Sequence, residues 1–254
     1  MKEVCRVIIL IPCFNEAENI EAVVQNIQAH AKNPDVSAAG LSMDYIIIND
    51  CSTDESLEKC AKNGFNYLDL PVNLGVGGCM QTGYKYALEA GYDIAIQHDG
   101  DGQHNPLYFG DVVGPIIQGQ ADIVIGSRFL TPKSADAFRS TGTRRLGIRF
   151  LSGLIHLCGG HKIYDATSGY RAVGRQYIEY FAHHYAQDYP EPESILDASL
   201  RGARIKEVPV LMRERQGGKS SITGAATLYY MVKVSLYILL YGFAKAKEKK
   251  GQTP

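Results

Sequence analysis

The chain has 254 residues, of which 45% are hydrophobic and 21% charged, so its composition excludes a disordered or fibrous protein. The net charge of −1 hides an asymmetry, because residues 1–130 carry seven Lys and Arg against 17 Asp and Glu, whereas residues 131–254 are basic. An acidic half suits a divalent cation, and a basic half suits an anionic partner. The basic half has no recognisable nucleic-acid module, so we expect phosphate groups or a membrane surface as partners, and no nucleic acid.

The six cysteines form no Cys-x-x-Cys pair and no zinc-type spacing, and several lie in apolar segments where cysteine acts as a small buried hydrophobe. This pattern predicts reduced thiols and a cytoplasmic protein.

Short apolar runs alternate with helical patterns in the first half of the chain. Strands are predicted at Val4–Ile11, Tyr45–Asn49, Phe65–Leu70, Ile94–Gln97 and Ile123–Ile125. Helices are predicted at Glu16–His30, Asp54–Asn63, Gly77–Ala90 and Pro106–Gln118. Such alternation predicts an α/β fold with a mainly parallel sheet. After Thr131 the pattern changes to a basic segment (Arg139–Leu157), a helix (Ser194–Leu200), a strand (Arg204–Val210) and a final apolar helix. Pro190 and Pro192 are expected to fix a loop and to oppose a helix before Glu193.

Two carboxylates follow the fourth predicted strand directly, at Asp99 and Asp101, with one glycine between them. The carboxyl end of a strand is where open α/β sheets bind ligands, and the glycine lets the two side chains converge. Paired carboxylates suit Mg²⁺ or Mn²⁺, which complete their coordination with phosphate oxygens. An ordinary surface turn has the same composition. For the neighbouring His98 and His104, the sequence leaves exposure or packing behind the site open, and for His104 also ligation of the metal.

Seven short blocks occur in order along residues 7–221. They are Ile-Pro-Cys-Phe-Asn-Glu (11–16), Ile-Asn-Asp-Cys-Ser-Thr-Asp (48–54), Asn-Leu-Gly-Val-Gly-Gly (73–78), His-Asp-Gly-Asp-Gly-Gln-His (98–104), Gly-Ser-Arg-Phe (126–129), Asp-Ala-Thr-Ser-Gly-Tyr-Arg-Ala (165–172) and Arg-Gln-Gly-Gly-Lys-Ser (215–220). Together they resemble the family 2 glycosyltransferases, in particular the subgroup similar to dolichol-phosphate-mannose synthase and its bacterial polyprenyl-phosphate counterparts. The resemblance implies a GT-A-type nucleotide-sugar-binding fold over 1–221, with an amphipathic membrane-associated helix and basic tail over 222–254.

The resemblance also implies residue roles. The nucleotide-sugar would contact Pro12, Phe14, Glu16, Asp50, Asn73, Gly75, Asp99, Gln103, Arg128, Arg215 and Lys219. The metal would be held by Asp99 and Asp101, and the catalytic group would comprise Asp101, Glu193 and Arg171. The chain departs from the family pattern at Asn49, where Asp is usual, at Cys51, where Gly is usual, and at Ser221, where Lys is usual. We expect Lys219 to replace that lysine.

The basic half is expected to meet the acceptor. An acceptor phosphate would contact Arg139, Arg144, Arg145 and Ser168. The first three belong to a basic segment with an apolar surface, which is typical of a membrane-surface helix or of a solvated helix face. The final helix has only about half of the roughly 20 apolar residues that span a bilayer, and lysines follow it, so we expect it to lie at the inner membrane face.

Three functions remain open from the sequence. The first is transfer of a sugar to a polyprenyl phosphate, and the second is transfer to the hydroxyl of a free or lipid-linked saccharide in polysaccharide assembly. The third is a non-catalytic nucleotide-sugar-binding protein, with a homo-oligomer allowed in each case. Only a hydroxyl acceptor needs a general base, for which Glu191 and Glu193 are candidates. No separate nucleophile is evident, which predicts single displacement with inversion.

Overall fold

A computed structural model describes residues 4–33, 36, 40–130, 142–213 and 225–251, with the side chains of 143, 144, 225–228 and 246–250 outside the description. Within these residues the backbone forms one seven-stranded sheet, in the order β3-β2-β1-β4-β6-β5-β7. The strands are β1 (Cys5–Cys13), β2 (Leu41–Asn49), β3 (Tyr67–Asp69), β4 (Ile94–Gln97), β5 (Ile123–Ser127), β6 (Arg171–Gly174) and β7 (Ile205–Pro209). All neighbouring pairs are parallel except those of β6, which is antiparallel to β4 and β5.

Eight helices are described around this sheet. They are α1 (Ile20–Ala31), α2 (Ser56–Lys62), α3 (Gly75–Glu89), α4 (Phe109–Ile117), α5 (Gly142–Gly159), α6 (Arg175–His183), α7 (Pro190–Leu200) and α8 (Ala225–Gly251). The central strand β1 is buried on both faces, and the two faces belong to different apolar clusters. Helices α1 and α4 contribute to one cluster, while α3, α5, α6, α7 and α8 contribute to the other. The predicted α/β architecture is thereby confirmed.

Two elements differ from the sequence prediction after residue 160. Helix α7 begins at Pro190, whereas the prolines at 190 and 192 were expected to oppose a helix before Glu193. That expectation is wrong because the first-turn amides of a helix have no intrahelical partner, so proline is tolerated there. Strand β6 and helix α6 were not predicted. The predicted helix over 106–118 is a 3₁₀ turn (Pro106–Tyr108), capped by the Asn105 side chain, followed by α4.

The C-terminal helix α8 packs against α5 and α7. A Cβ added to Gly242 would lie 2.6 Å from the Cβ of Cys158, and one added to Gly147 would lie 3.3 Å from the sulfur of Met231. Gly147 and Cys158 are 11 residues apart in α5, and their partners Met231 and Gly242 are 11 residues apart in α8. The two helices therefore run side by side in the same direction. Among the described residues, no helix is both long and apolar enough to cross a membrane. The division into 1–221 and 222–254 stays a prediction.

Candidate active site

The predicted functional residues meet at one edge of the sheet. Strands β1, β2, β4 and β5 end at this edge, and β6 begins there because it runs antiparallel. Phe14, Asp50, Asp99 and Arg128 follow the ends of the parallel strands, and Arg171 opens β6. The edge therefore collects residues that are far apart in the chain, as expected for a ligand-binding crevice of an open α/β sheet.

The acidic loop after β4 lies tightly against its neighbours. A Cβ on Gly100 would lie 3.0 Å from the carbonyl oxygen of Pro12, and a Cβ on Gly169 would lie 2.9 Å from Oδ2 of Asp99. The Asp99 side chain is 36% exposed, and the amide of Gln103 donates to Oδ1 of Asp101 at 3.0 Å. Both glycines thus allow close approach around a carboxylate that remains open to solvent.

Two histidines lie behind this loop. His98 and His104 are buried with their rings 5.3 Å apart at 88°. Burial lowers the pKa of His98 to about 3 and that of His104 to about 4, so both are neutral at physiological pH. Of the alternatives left by the sequence, packing behind the site is confirmed for both histidines and exposure is wrong. Ligation through Nδ1 of His104 is opposed by the hydrogen bond that this atom accepts from the backbone amide of Asp99.

Asp50 holds the start of α3. The carboxylate is 3% exposed, and its Oδ1 accepts a hydrogen bond from the amide of Leu74 at 2.7 Å. Asn73 donates to the carbonyl of Asp50 at 3.1 Å and accepts from the amide of Gly75 at 3.1 Å. Burial raises the pKa of Asp50, and the hydrogen bonds oppose this. These contacts fix the loop, and the nucleotide-binding roles of Asp50, Asn73 and Gly75 stay predictions.

The loop after β1 is joined to the loop after β2. Oδ1 of Asn15 accepts from the amide of Thr53 at 2.8 Å, and the amide of Glu16 donates to the hydroxyl of Ser56 at 2.9 Å. Phe14 is 47% exposed and Pro12 is half-buried at this rim. An exposed ring beside these loops is available for stacking on a base, and the predicted contact of Phe14 with the nucleotide-sugar stays a prediction.

Arg128 is held by a buried carboxylate that was not among the predicted site residues. Its guanidinium donates to both oxygens of Asp165 at 2.7 and 2.6 Å, and to the hydroxyl of Thr167 at 3.0 Å. Ser168, predicted to touch the acceptor phosphate, is fully buried and donates to the carbonyl of Gly126 at 2.7 Å. The structure therefore does not place Ser168 where it could touch an acceptor directly.

Arg171 also differs from its expected placement. It is 2% exposed, and its guanidinium donates to the carbonyl of Ser168, the carbonyl of Glu191 and the hydroxyl of Ser194. These bonds tie the start of β6 to the first turn of α7. Because its donors are directed at protein groups, Arg171 orients that turn, and the structure shows no open guanidinium face for an acceptor.

The two acidic residues at the start of α7 have different surroundings. Burial raises the pKa of Glu191, with Arg171 opposing and the charge of Asp99 adding to the increase. Burial also raises the pKa of Glu193, to about 7, and the charges that act on it come first from Asp188 and Lys233. Glu191 is thus the carboxylate coupled to the acidic loop, while the predicted catalytic residue Glu193 is coupled to α8.

Three residues that the predicted site omitted contribute to this edge: Gln97, Asp165 and Gly169. The signal for Asp165 and Gly169 was present, since both lie in the block over 165–172. Arg139, Arg215 and Lys219 lie outside the described residues, as does the side chain of Arg144. Arg145 is half-buried on α5.

The acidic loop suits a cation shared with a ligand. Within the described part of the chain, no group of three or more His, Cys, Asp or Glu side chains could enclose a metal ion. Asp99 and Asp101 alone fit the way Mg²⁺ binds beside phosphates, through one or two carboxylates, with water and phosphate oxygens completing the coordination.

Comparison with known proteins agrees with the geometry. A sequence model described as glycosyl transferase family 2 matches residues 8–181. The chain belongs to glycosyltransferase family 2. It is 32% identical over 223 residues to the UDP-N-acetylglucosamine–dolichyl-phosphate N-acetylglucosaminyltransferase of Methanococcus voltae, covering 80% of this chain and 83% of that protein. It is 27% identical over 253 residues to the polyprenol monophosphomannose synthase of Mycolicibacterium smegmatis, covering 91% and 86%.

Solved structures support the fold. Glucosyl-3-phosphoglycerate synthase from Mycobacterium tuberculosis, crystallised with Mg²⁺ and uridine diphosphate, superposes with a TM-score of 0.69 at 20% identity, covering 94% of this chain and 79% of that one. The predicted GT-A-like fold, the assignment as a glycosyltransferase and the resemblance to the polyprenyl-phosphate subgroup are confirmed.

Proposed function

We propose that this enzyme transfers a sugar from a UDP- or GDP-linked donor to a polyprenyl phosphate at the cytoplasmic face of a membrane, using Mg²⁺ or Mn²⁺. The observation that carries the proposal is the exposed carboxylate of Asp99, paired with Asp101, at the sheet edge where Phe14 and Asp50 also lie. The names of the two relatives above supply the acceptor class, since both act on a polyprenyl-type lipid.

The roles of the acidic loop and the donor-binding loops follow from their placement. Asp99 and Asp101 would hold the cation, which supplies positive charge to a departing diphosphate. Phe14 would stack on the base, and the glycine-rich start of α3 would lie near the phosphates. Gln103 would support the acidic loop, since its backbone amide already donates a hydrogen bond to Oδ1 of Asp101.

The acceptor chemistry is simple if it is a lipid phosphate. The phosphate oxygen is already anionic near neutral pH, so attack on the anomeric carbon requires no general base. A single in-line displacement then inverts the anomeric centre and gives a β-linked product from an α-linked donor. Arg145 on α5, with Arg139 and Arg144 nearby in the sequence, would bind the anionic acceptor.

The surface of α5 and α8 supports a membrane location. Both helices have large apolar side chains that are exposed: Leu146, Phe150 and Leu157 on α5, and Tyr229, Val232, Leu236, Leu240 and Phe243 on α8. The opposite side of α8 is apolar too, because Val234 and Ile238 belong to the protein core. An exposed apolar face followed by four lysines (245, 247, 249 and 250) suits the boundary between anionic headgroups and acyl chains.

Transfer to a saccharide hydroxyl is a second candidate, and Glu191 favours it. A hydroxyl acceptor must lose a proton, and a half-buried carboxylate with a raised pKa beside the acidic loop is a suitable base. Glu191→Gln separates the two functions: it should abolish transfer to a hydroxyl and leave most of the transfer to a phosphate.

The experiment is a panel of radiolabelled nucleotide-sugars, including UDP-N-acetylglucosamine and a GDP-linked mannose, with polyprenyl phosphate vesicles and Mg²⁺. We expect one donor to give an organic-extractable product that mild acid cleaves, and NMR of that product to show inversion. Asp101→Asn should lower the rate by orders of magnitude, whereas Asp111→Asn on the exposed side of α4 should not. Products stable to mild acid would favour the hydroxyl acceptor, and no product with any donor would contradict both.

A further inference from the structure

Two buried side chains, Gln97 and His104, lie beside the carboxylate of Asp99, one near each oxygen. Nε2 of Gln97 donates to Oδ1 at 3.3 Å, and Nε2 of His104 lies 3.5 Å from Oδ2. Gln97 is 1% exposed and His104 4% exposed, while the Asp99 side chain is 36% exposed. The carboxylate is therefore held from the protein side and left open on the solvent side.

The hydrogen bonding of His104 defines which nitrogen carries the proton. The backbone amide of Asp99 donates to Nδ1 of His104 at 3.0 Å. An amide is always a donor, so Nδ1 must present its lone pair, and the proton of the neutral ring must be on Nε2. Nε2 itself lies 3.5 Å from Oδ2 of the same aspartate. His104 thus contacts Asp99 twice, once at the backbone and once at the carboxylate.

Packing fixes the plane of the His104 ring. The ring stacks on Tyr170 at 4.7 Å and 13°, and the hydroxyl of Tyr170 donates to the carbonyl of Asn105 at 2.8 Å. Gly169, next to Tyr170, approaches Asp99 so closely that a Cβ would lie 2.9 Å from Oδ2. The aspartate therefore has little freedom to rotate away from the open side.

We propose that His104 is a positioning residue that orients Asp99 for the divalent cation, through the hydrogen bond that its Nδ1 accepts from the backbone amide of Asp99 and through the neutral Nε2–H that lies beside the carboxylate. The proposal rests on the proposed metal-dependent function. Groups behind a metal ligand fix its orientation, and their loss typically weakens metal binding by about 10- to 100-fold. His104 itself contributes no ligand, because its Nδ1 accepts from the amide of Asp99 and its Nε2 carries the proton.

Two substitutions separate the contacts of His104. Asn at 104 has an amide oxygen that can replace Nδ1 as acceptor but cannot reach the carboxylate, whereas Gln has an amide nitrogen at the level of Nε2 but no acceptor at Nδ1. We expect Mn²⁺ binding to the full chain with uridine diphosphate, measured by electron paramagnetic resonance, to weaken at least tenfold in His104→Ala, and each of the other variants to recover part of this loss. His30→Gln is the matched control, because His30 lies at the other end of the same aromatic group, against Phe109.

The outcomes are distinguishable. If the wild-type protein does not bind Mn²⁺ with uridine diphosphate, the proposed metal-dependent function fails. If it binds and Asp101→Asn does not, but all His104 variants bind like the wild type, the positioning role is overturned. Nitrogen NMR of the wild-type histidines gives a test that needs no variant: it should show the proton of His104 on Nε2, and a proton on Nδ1 would overturn the role as well.

Discussion

Arg128 and Asp165 form a two-pronged ion pair that is almost fully removed from solvent. The two nitrogen–oxygen contacts are 2.7 and 2.6 Å, and the exposed fractions of the side chains are 6% and 0%. The backbone amide of Asp165 in turn donates to Oε1 of Glu207 at 2.8 Å. The pair therefore connects the end of β5 to the loop that carries Gly169 and Tyr170 beside the acidic loop.

Removing one partner of this pair should destabilise the protein strongly. Asp165→Asn leaves a buried guanidinium without its countercharge, and such changes cost about 3–5 kcal/mol of unfolding free energy. Urea unfolding monitored by circular dichroism measures the loss. The matched control is Asp122→Asn, which breaks a similar fork with Arg204 on the surface and should cost much less. Equal losses at the two positions would contradict a special role for the buried pair.

Gly169→Ala should lower transferase activity by about a hundredfold, since displacement of a reacting group by about 1 Å can cost that much. The new methyl group would lie 2.9 Å from Oδ2 of Asp99 and 3.0 Å from Nε2 of Gln97, so the carboxylate must move. Gly114→Ala on α4 is the control, because its Cβ would meet nothing within 4 Å. That variant should retain activity and gain about 1 kcal/mol of stability from helix propensity. Full activity of Gly169→Ala would show that the position of Asp99 is not critical.

Glu193 should make stability depend on pH. Burial, together with Asp188 and Glu191, raises its pKa to about 7 from 4.5, and Lys233 opposes the shift. Between these values the unfolded chain releases the proton that the folded protein keeps, so stability falls as the pH rises through this interval and stays low above it. The free energy of unfolding falls by at most about 3 kcal/mol over this interval. Glu193→Gln cannot ionise and should be more stable than the wild type at pH 8.

The comparison between wild type and Glu193→Gln removes the contributions of other groups, such as the buried histidines, which titrate in both proteins. Urea unfolding at pH 5 and at pH 8 gives the difference in unfolding free energy between the two proteins at each pH. We expect a small difference at pH 5 and the full difference at pH 8. The same difference at both values would mean that Glu193 does not retain its proton in the folded protein.

Cys51 occupies a backbone conformation that suits glycine. Its φ is +59°, and the family pattern has glycine at this position. A glycine at this position removes the strain of the left-handed conformation, which raises the free energy of unfolding by about 1–2 kcal/mol. Glycine also makes the unfolded chain more flexible, which lowers the free energy of unfolding by about 0.4–1 kcal/mol. Cys51→Gly should therefore stabilise the protein by about 0.5–1 kcal/mol. Cys51→Ala keeps the strain and should not stabilise. Thermal unfolding of both variants tests this, and a gain from Ala equal to that from Gly would refute the strain argument.

The sequence predicted the first half of the fold well because its strands are continuous apolar runs. Ile94–Gln97 is predicted and observed with the same bounds. Strand β6 escaped prediction because Arg171 begins it and only Ala172 and Val173 are apolar, so its pairing with β4 and β5 depends on tertiary structure. A strand of this kind is fixed by its neighbours rather than by its own pattern.

The same limit applies to the site. The sequence identified Asp99 and Asp101 by their spacing after a strand, but it could not choose between Glu191 and Glu193. Residues two apart on a helix point in different directions, so only one of them could face the acidic loop. In the structure the charge of Asp99 acts on Glu191, whereas Asp188 and Lys233 act on Glu193. That choice depends on where α7 begins. The prolines at its start predict a helix that begins no earlier than Glu193.

The exposed apolar residues of α8 should bind lipid directly. Leu236 and Leu240 are 52% and 69% exposed and lie one helical turn apart. Replacing both with Glu removes two side chains that would each contribute about 1.5–3 kcal/mol on burial, and adds repulsion from anionic lipid. We expect sedimentation with anionic phospholipid vesicles to weaken at least tenfold. High salt should weaken binding of the wild type only in part, because burial of apolar surface is not screened.

Leu107→Glu provides the matched control for this experiment. Leu107 is 72% exposed, more than either leucine of α8, but lies in the 3₁₀ turn after the acidic loop. If the apolar face of α8 binds the membrane, this variant should sediment like the wild type, and transfer to a water-soluble short-chain polyprenyl phosphate should be similar in all three proteins. Equal sedimentation of the double variant and the wild type would exclude α8 as the docking helix. A wild-type protein that never sediments would reject the membrane location itself.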